Sequence, residues 1–308
     1  MQKYYSNGKL LLSGEYLILD GAKGLALPTK AGQELIVRAD RSDNTLLWKS
    51  RDQKDQLWFE GAYRLPDLSL ISFEGDKNVA LVLQKILLMA RKAEPKFLAD
   101  PVGITVTTRL GFPLNWGLGS SSTLISNIAQ WAGTDPYQLL NDSFGGSGYD
   151  IACARSEKPL LYTLDHGSPI VEQVSFNPLF RDALYFVHLN RKQVSSESIK
   201  GYKLKQVAME QIDSISSLTE KMLTVERISD FNEVLKEHER IISNILGVQP
   251  VQEKLFADFP GQTKSLGAWG GDFILATGGN TTKDYFEQKG YDTVIPFSTM
   301  IKQYGPQD

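Results

Sequence analysis

Three glycine-containing segments carry most of the residues that could do chemistry. In the first, Pro113–Thr123, Gly117 and Gly119 precede three consecutive serines and an apolar pattern of helical spacing. A strand-like alternation over Val102–Val106 comes before it. A strand, a glycine-rich loop and a helix together direct backbone N–H groups and a helix dipole at one point, which favours an anion such as phosphate. The serine hydroxyls could bind a phosphate oxygen or a hard cation, although glycine and serine before a helix are also ordinary turn and capping residues.

Two further glycine clusters and two isolated charges complete this set. The second cluster, Gly145–Asp150, ends in a carboxylate, and the third, Gly267–Asp272, runs into an apolar strand-like segment. Lys9 opens another apolar strand near the amino terminus. Each charge alone is typical of the solvated end of an element. The joint occurrence of Lys9 and Asp150 with a phosphate-type loop is less easily explained in that way.

The elements that must position these residues are mixed in type. The first 60 residues are predicted to be mostly β, with a strand at Glu34–Ala39 and a surface hairpin over Leu46–Phe59. Asn78 is the predicted cap of the next helix, and Thr134–Pro136 has the form of a helix start. Further predicted elements are the core stripe Val79, Val82, Leu83, Ile86, Met89 and Ala90, two amphipathic helices over 204–222 and 231–245, and strands over 182–189, 273–276 and 293–297. Strands and helices intermix without regular alternation, which predicts the α+β class.

Composition excludes several classes of function. The chain has 308 residues and a formal net charge of -3 without a long basic run, so no nucleic-acid partner is expected. Cys153 is the single cysteine, which excludes an intramolecular disulfide and suits a reducing compartment. Met1–Ser6 lacks the apolar core of a signal peptide, and no apolar run approaches the ~18 residues that a membrane span needs. We therefore expect a cytoplasmic protein of two domains.

Common catalytic motifs are absent from the sequence. There is no Gly-x-x-x-x-Gly-Lys-Ser/Thr loop, no third glycine at the dinucleotide spacing, no zinc-type spacing and no Gly-x-Ser-x-Gly elbow. The three histidines, His166, His188 and His238, are scattered, so structural roles are expected for them.

Four motifs in order along nearly the full chain carry a family resemblance. They are Gly8-Lys9 with Ser13–Tyr16, then Pro113–Ser122, then Ser147–Asp150, then Gly267–Gly271. This set resembles the GHMP kinases, small-molecule kinases for galactose, homoserine, mevalonate and phosphomevalonate. Gly14-Glu15-Tyr16 and Gly270-Gly271-Asp272 look most like the phosphomevalonate kinases, with mevalonate kinases next. The Gly-Tyr-Asp-Ile-Ala sequence at Gly148–Ala152 indicates a divergent branch.

The resemblance implies a fold and its cofactors. It implies a two-domain α+β GHMP kinase fold, with a domain like domain 2 of ribosomal protein S5 over residues 1–180 and a ferredoxin-like domain over 181–308. It also implies ATP and Mg²⁺ as cofactors, a small-molecule substrate as partner, no nucleic acid or membrane partner, and a monomer or homodimer.

The resemblance also implies roles for individual residues. Asp150 would lie beside the acceptor oxygen, and Lys9 beside both Asp150 and the transferred phosphoryl group. Ser121 would be the hydroxyl ligand of Mg²⁺. The implied ATP contacts are Gly117, Leu118, Gly119, Ser120, Ser121, Ser122, Gly267, Ala268, Gly270 and Gly271. The implied acceptor contacts are Glu15, Ser147, Gly148, Lys192, Ser195 and Ser196. Phosphoryl transfer depends mainly on positioning and charge neutralisation, which such a set can supply.

Departures from the family pattern leave alternatives open. Mevalonate kinases place a Mg²⁺-binding glutamate shortly before the aspartate motif, whereas Tyr137–Asp142 contains none, so Asp142, or ATP and water, would serve instead. Trp269 is bulkier than the family's usual residue there and is expected to narrow the pocket. A phosphate acceptor needs a base less than a hydroxyl does, and it would want cations such as Arg191, Lys192 and Lys200. The alternative functions are a diphosphomevalonate decarboxylase-like enzyme and a non-catalytic ligand sensor.

Overall fold

The chain folds into two compact units. The computed structural model describes residues 1–40, 42–191, 202, 205–269 and 272–302. One unit comprises Met1–Gly8, Ala31–Leu114 and Leu118–Arg155. The other comprises Lys9–Lys30, Asn115–Gly117 and Ser156–Asp308. The domain boundary between residues 180 and 181 stays a prediction.

The first unit is built on a mixed sheet. The carboxyl half of β2 (Gly24–Arg38) is antiparallel to β6 (Ile104–Leu110), and β1 (Gln2–Leu11) also pairs with β2. On its other side β6 is parallel to β3 (Thr45–Arg51). The sheet continues antiparallel through β4 (Leu57–Arg64) to β5 (Leu70–Glu74). The β3–β4 pair confirms the predicted surface hairpin.

Four helices pack with this sheet. They are α1 (Lys77–Ala93), α2 (Ser120–Ala132), α3 (Pro136–Ser143) and α4 (Tyr149–Arg155). Alternating burial along β3 and a buried face on each of the longer helices produce one core. Its buried members include Leu35, Val37, Leu46, Trp48, Phe59, Leu83, Ile86, Ile125, Ile128 and Ile151.

The start and the buried face of α1 differ from the prediction. The cap is Asp76 rather than Asn78, because the Asp76 carboxylate accepts a hydrogen bond of 2.8 Å from the Asn78 backbone N–H. Val82 is exposed, and Ala80 and Leu87 are buried in the core with Leu83, Ile86 and Ala90. The Tyr63 hydroxyl donates a hydrogen bond to the Ala80 carbonyl at 2.9 Å, so the helix at Ala80 lies close to the Tyr63 side chain of β4. At α3 the predicted start is confirmed, since the Asp135 carboxylate accepts from the Tyr137 N–H at 2.8 Å.

The second unit contains the amino half of β2, two further paired strands and a separate sheet. Gly24–Ala26 pair with β7 (Leu160–Asp165), which is antiparallel to β8 (Ser168–Gln173). The separate sheet is antiparallel throughout, in the order β10, β11, β9, β12. Its strands are β9 (Leu184–His188), β10 (Thr263–Ser265), β11 (Phe273–Thr277) and β12 (Val294–Pro296).

Helices of the second unit follow the predicted amphipathic pattern. They are α5 (Met209–Thr224), α6 (Ile228–Leu246), α7 (Val251–Leu255), α8 (Thr282–Gln288) and α9 (Phe297–Met300). All six apolar residues predicted for the α6 stripe are buried, which confirms that face. The prediction for α5 began too early, because the helix starts at Met209; Leu204 lies outside the described residues. None of the described helices is both long enough and apolar enough to cross a membrane.

Candidate functional site

The start of α2 has the features of an anion site. Gly119 is the residue directly before the helix, and its φ of 88° is a conformation that favours glycine. Because glycine has no side chain, it cannot cap the first backbone N–H groups of the helix. The Ser122 hydroxyl donates to the Gly119 carbonyl at 2.9 Å and so closes the first turn. Ser121 is exposed. A 13-residue helix with uncapped N–H groups and an exposed serine hydroxyl at its start suits a phosphate group and its counter-cation.

Buried polar side chains fix the rotation of α2 against the sheet of its unit. The Asn127 amide donates to the Gln33 carbonyl oxygen at 2.9 Å and accepts from the Ser6 hydroxyl at 2.8 Å. Thr123 donates to the Gln33 side-chain oxygen at 2.7 Å. Buried hydrogen bonds of this kind are lost together if the helix turns, so they hold the start of α2 in one orientation.

Asp150 lies in the first turn of α4, which packs against α2 in the first unit. The helix carrying Ser121 and the helix carrying Asp150 are therefore brought together. Asp150 is half-buried, and its Oδ1 accepts from the Ile151 N–H at 3.1 Å. Burial raises the pKa of Tyr137 to about 12, and the charges of Asp135 and Asp150 contribute in the same direction. Tyr137 is thus an electrostatic neighbour of Asp150 that the motifs did not reveal.

In the second unit the first and third glycine clusters meet at Gly117 and Asp272. Gly117 has φ of 63°, and a Cβ atom built on it would lie 2.1 Å from Asp272 Oδ2. The preceding Trp116 packs edge-on against Phe273 with ring centroids 5.4 Å apart. His188 Nε2 lies 3.2 Å from the Asn115 carbonyl oxygen. These contacts fix Asn115–Gly117 against β9 and β11 and place a carboxylate beside the glycine.

Substituting Gly117 with alanine is expected to cost clearly more stability than a matched glycine substitution. Gly133, which ends α2 with φ of 72°, has no atom within 4 Å of its added Cβ, so Gly133→Ala carries only the conformational cost of about 1 kcal/mol. Gly117→Ala adds the clash with Asp272, a further ~1 to 3 kcal/mol. Urea unfolding of both variants checks this, and equal losses would contradict the contact. Adding Asp272→Ala to Gly117→Ala should recover part of the difference.

A buried ionic cluster surrounds Glu15, one of the predicted acceptor contacts. Its carboxylate accepts a hydrogen bond from the Lys264 ammonium, and both side chains are fully buried. Glu15 Oε2 also lies 3.3 Å from His238 Nε2 on α6, which accepts the Gly14 N–H at 3.1 Å. Burial, reinforced by the Lys264 charge, lowers the pKa of His238 well below its usual value, so the imidazole is neutral. The cluster joins the Ser13–Tyr16 turn to α6 and β10.

Glu239 is the second carboxyl group of this cluster. It accepts hydrogen bonds from the Ser265 N–H at 3.0 Å and the Ser265 hydroxyl at 3.2 Å. Burial raises its pKa to about 8, against the opposing charge of Lys264 and with a contribution from Glu15. Burial also raises the pKa of Glu15. Lys264 is hydrogen-bonded to Glu15, whereas Glu239 is bonded to Ser265 and keeps its proton at neutral pH.

Glu239→Gln is expected to flatten the dependence of stability on pH between 6.5 and 8. The folded pKa of about 8 lies above the unfolded value of 4.5, so the folded state holds a proton that the unfolded state has released. Stability from this group is present below pH 4.5 and is lost as pH rises through 8, with a slope approaching 1 kcal/mol per pH unit, roughly. His238 acts in the opposite sense. Its pKa is lowered in the folded state, so below about pH 6.5 the unfolded state binds a proton that the folded state does not, and stability falls as the pH falls.

Urea unfolding at pH 6.5 and 8 measures this slope. The matched control is Glu237→Gln, since Glu237 is the neighbouring glutamate and its pKa is lowered by its hydrogen bond to Arg240. That variant should keep the wild-type slope. If the Glu239→Gln variant kept the wild-type slope, the Glu239 proton would not be the source of the pH dependence of stability.

The remaining predicted residues are placed as follows. Lys9 lies in β1 within the second unit, and Gly148 is buried directly before α4. Gly267 and Ala268 are half-buried beside Trp269, which is buried. Lys192, Ser195, Ser196, Gly270 and Gly271 lie outside the described residues, as does Lys200. Among the residues that the structure describes, no group of three or more histidine, cysteine, aspartate or glutamate side chains could hold a metal ion.

Sequence reasoning missed Lys264 and Glu239 as partners of Glu15. A weak signal existed in α6, where His238 and Glu239 follow Val234 and Leu235 on a stripe that is otherwise apolar. Lys264 had no comparable signal, because a lysine in a three-residue strand is usually exposed.

The chain resembles known proteins in its structure and not in its sequence. No protein-family model and no curated protein matches the chain by sequence. A mevalonate kinase structure matches with a TM-score of 0.71 at 12% identity, covering 98% of this chain and 100% of that one. Phosphomevalonate kinase from Streptococcus pneumoniae, in complex with phosphomevalonate and AMPPNP, matches at 0.66 and 17% identity, covering 94% and 96%. Galactokinase from Lactococcus lactis, complexed with galactose, matches at 0.63 and 14% identity, covering 98% and 95%. The chain therefore has the two-domain α+β fold of the GHMP kinases, which confirms the predicted fold class.

Proposed function

We propose that this protein is an ATP-dependent small-molecule kinase of the GHMP family. The observation that carries the proposal is the glycine-capped start of α2, with Ser121 exposed, on a helix that packs against the helix of Asp150. An uncapped helix start binds phosphate oxygens, and a carboxylate on the adjacent helix is suited to an acceptor group. The shared fold with mevalonate kinase, phosphomevalonate kinase and galactokinase supports the same reaction class.

The donor set fits a nucleotide phosphate chain and a hard cation. Backbone N–H groups of Ser120–Ser122 would bind phosphate oxygens, and the Ser121 hydroxyl would hold Mg²⁺. Bound Mg²⁺ neutralises charge on the phosphates. Gly117, Leu118, Gly119, Gly267, Ala268, Gly270 and Gly271 remain the proposed nucleotide contacts. Asp142 is exposed on α3 and remains the proposed substitute for the missing glutamate.

In the proposed reaction Asp150 takes the proton of an acceptor hydroxyl or orients that acceptor. Lys9 is the lysine proposed to neutralise charge on the transferred phosphoryl group. Ser147, Gly148, Lys192, Ser195 and Ser196 are the proposed acceptor contacts. The Glu15 carboxylate is engaged with Lys264 inside the second unit, and its contact with the acceptor stays a prediction.

The proposed acceptor is phosphomevalonate or mevalonate, in isoprenoid precursor synthesis. Kinases with this fold have been solved in complex with R-mevalonate and with phosphomevalonate, which supports this choice. The proposed compartment is the cytoplasm, and the proposed state is a monomer or homodimer with a small-molecule substrate as its partner.

An assay of ADP formation from ATP in the presence of Mg²⁺ tests the proposal. The acceptors to be compared are mevalonate, phosphomevalonate, homoserine and galactose. ADP release dependent on one acceptor, with the phosphorylated product found by mass spectrometry, is the expected result. ATP-dependent release of CO₂ from diphosphomevalonate would indicate the decarboxylase instead. Tight binding of ATP with no product from any acceptor would indicate a ligand sensor.

A further inference from the structure

The segment Asn115–Gly117, which leads into the glycine-capped start of α2, is anchored at each of its three residues. The side chains that contact it are His188, Phe273 and Asp272. The segment and these three residues belong to the second unit. Gly117, the last residue of the segment, is a proposed nucleotide contact, so the anchors act on a residue of the proposed site.

His188 and Phe273 form an aromatic platform for Trp116. The antiparallel register of β9 and β11 places His188 directly opposite Phe273, so both side chains lie on the same face of the sheet. Their ring centroids are 5.1 Å apart. The Trp116 ring is edge-on to Phe273 at 5.4 Å and tilted relative to His188 at 6.4 Å. Ring pairs at these distances attract each other beyond the effect of burial alone, so the two contacts hold the Trp116 side chain in place.

The His188 imidazole is a fixed hydrogen-bond donor to the same segment. Its Nδ1 accepts from the Asn190 N–H at 3.3 Å, so the ring proton lies on Nε2. Nε2 therefore donates to the Asn115 carbonyl oxygen at 3.2 Å. His188 is buried, and a buried donor that loses its partner is costly. The backbone of Asn115 is thus held by a hydrogen bond directly before the residue that is held by its ring.

A loop that contains glycine gains most from such anchors. Glycine loses more conformational freedom on ordering than any other residue, and Gly117 has a φ of 63°. A loop that is ordered in only a fraction of the molecules binds its ligand with an affinity reduced by that fraction. Anchors that order the loop before the ligand arrives remove this penalty.

We propose that Trp116 and His188 are positioning residues for nucleotide binding, which hold Asn115–Gly117 in the conformation that receives the phosphate chain. This role rests on the proposed function, since it takes the glycine-rich loop as the phosphate-binding segment. Both side chains act through the backbone of Asn115–Gly117 and not by contact with the nucleotide. Their loss weakens nucleotide binding but leaves the turnover of the bound complex nearly unchanged, because bound phosphates order the loop themselves.

The test measures the binding of AMPPNP with Mg²⁺ to the full-length protein by isothermal titration calorimetry. Trp116→Ala should weaken binding at least tenfold, roughly, because the loop is then ordered in a small fraction of the molecules. Trp116→Phe should restore affinity to within about threefold of the unsubstituted protein, because phenylalanine can keep an edge-on contact with Phe273. In steady-state kinetics the KM for ATP should rise by the same factors, while kcat stays within about threefold.

His188→Phe tests the hydrogen bond separately from the ring contacts. Phenylalanine keeps an aromatic ring on the platform and removes the donor to the Asn115 carbonyl oxygen. AMPPNP binding should weaken about fivefold, which corresponds to the loss of one hydrogen bond. If Trp116→Ala does not fold, this variant carries the test, and an unchanged affinity in it would overturn the proposal.

Tyr285→Ala is the matched control for the loss of a half-buried aromatic ring. Tyr285 is in the same unit, and its ring is edge-on to Phe286 at 5.1 Å. It packs against the cluster that contains Val187, which lies on the opposite face of the sheet from His188 because the two residues are consecutive in β9. Its substitution should lower stability in urea unfolding and leave AMPPNP affinity within a factor of about two.

The outcomes separate this role from the proposed function. Unchanged AMPPNP affinity in Trp116→Ala, or an equal loss in Tyr285→Ala, would overturn the positioning role alone. An unsubstituted protein that binds no AMPPNP would overturn both the role and the proposed function. A protein that shows the expected pattern of affinities but phosphorylates no acceptor would support the positioning role and contradict the kinase.

Discussion

Asp150→Asn is expected to lower turnover on a hydroxyl acceptor by two to four orders of magnitude, the range typical of a lost general base. The carboxylate is half-buried in the first turn of α4, and its Oδ1 accepts the Ile151 N–H. Asparagine keeps that oxygen and the side-chain shape but cannot take a proton. The free energy of unfolding should therefore change by less than about 1 kcal/mol. Steady-state ADP release and urea unfolding of the same preparation measure both quantities.

The size of this effect also reports on the acceptor. A phosphate acceptor is largely ionised near neutral pH, with a second pKa of about 6, and needs a base less. Asp150→Asn should then cost much less with phosphomevalonate than with mevalonate. Asp100→Asn is the matched control, because Asp100 is an exposed carboxylate in the same unit. Turnover of Asp150→Asn equal to that of the control, on a hydroxyl acceptor, would remove Asp150 from the mechanism.

Of the substitutions considered for this protein, Lys264→Met is expected to lower the free energy of unfolding most, by about 3 to 5 kcal/mol. Losses of this size are typical when one partner of a buried ion pair is removed. Lys264 is fully buried and donates to the Glu15 carboxylate and, at 2.9 Å, to the Ser265 carbonyl oxygen. Methionine has similar length and no charge, so packing is largely kept. The Glu15 carboxylate would remain buried with its counter-charge removed and Glu239 nearby. Urea unfolding at pH 7 measures the loss.

A second substitution separates charge from packing at this position. Glu15→Gln combined with Lys264→Met removes both charges, so the double variant should be more stable than Lys264→Met alone. Lys283→Met is the matched control, because Lys283 forms an exposed ion pair with Glu287 at 3.5 Å. It should cost about 0.5 kcal/mol or less. A double variant no more stable than Lys264→Met would show that packing, and not the pair, accounts for the loss.

Local patterns in the sequence predicted the elements well where one signal dominated. The α6 stripe of Phe231, Val234, Leu235, Ile241, Ile242 and Ile245 is buried as predicted, because a period of 3.6 residues leaves one face for the core. The predicted helix start at Thr134–Pro136 is confirmed for the same kind of reason, since the Asp135 carboxylate that caps it bonds to the backbone only two residues on. In α1 the predicted stripe through Val79 and Val82 overlaps the face that is buried, which runs through Ala80. The hydrogen bond from the Tyr63 hydroxyl to the Ala80 carbonyl helps to fix that face against β4, and the local pattern does not contain this contact.

The glycine-rich loop and the fold class were determined by the sequence itself, because turn conformation, helix caps and apolar periodicity depend on neighbouring residues. Which charged side chains meet was decided only by the tertiary structure. Glu15 and Lys264 are 249 positions apart, and a buried carboxylate requires a partner that only packing can supply. Gly117 and Asp272 likewise come together through the packing of Trp116 on Phe273. Residue types and spacing predicted the glycine-rich loop that precedes α2, while packing between distant segments placed the charges of the second unit.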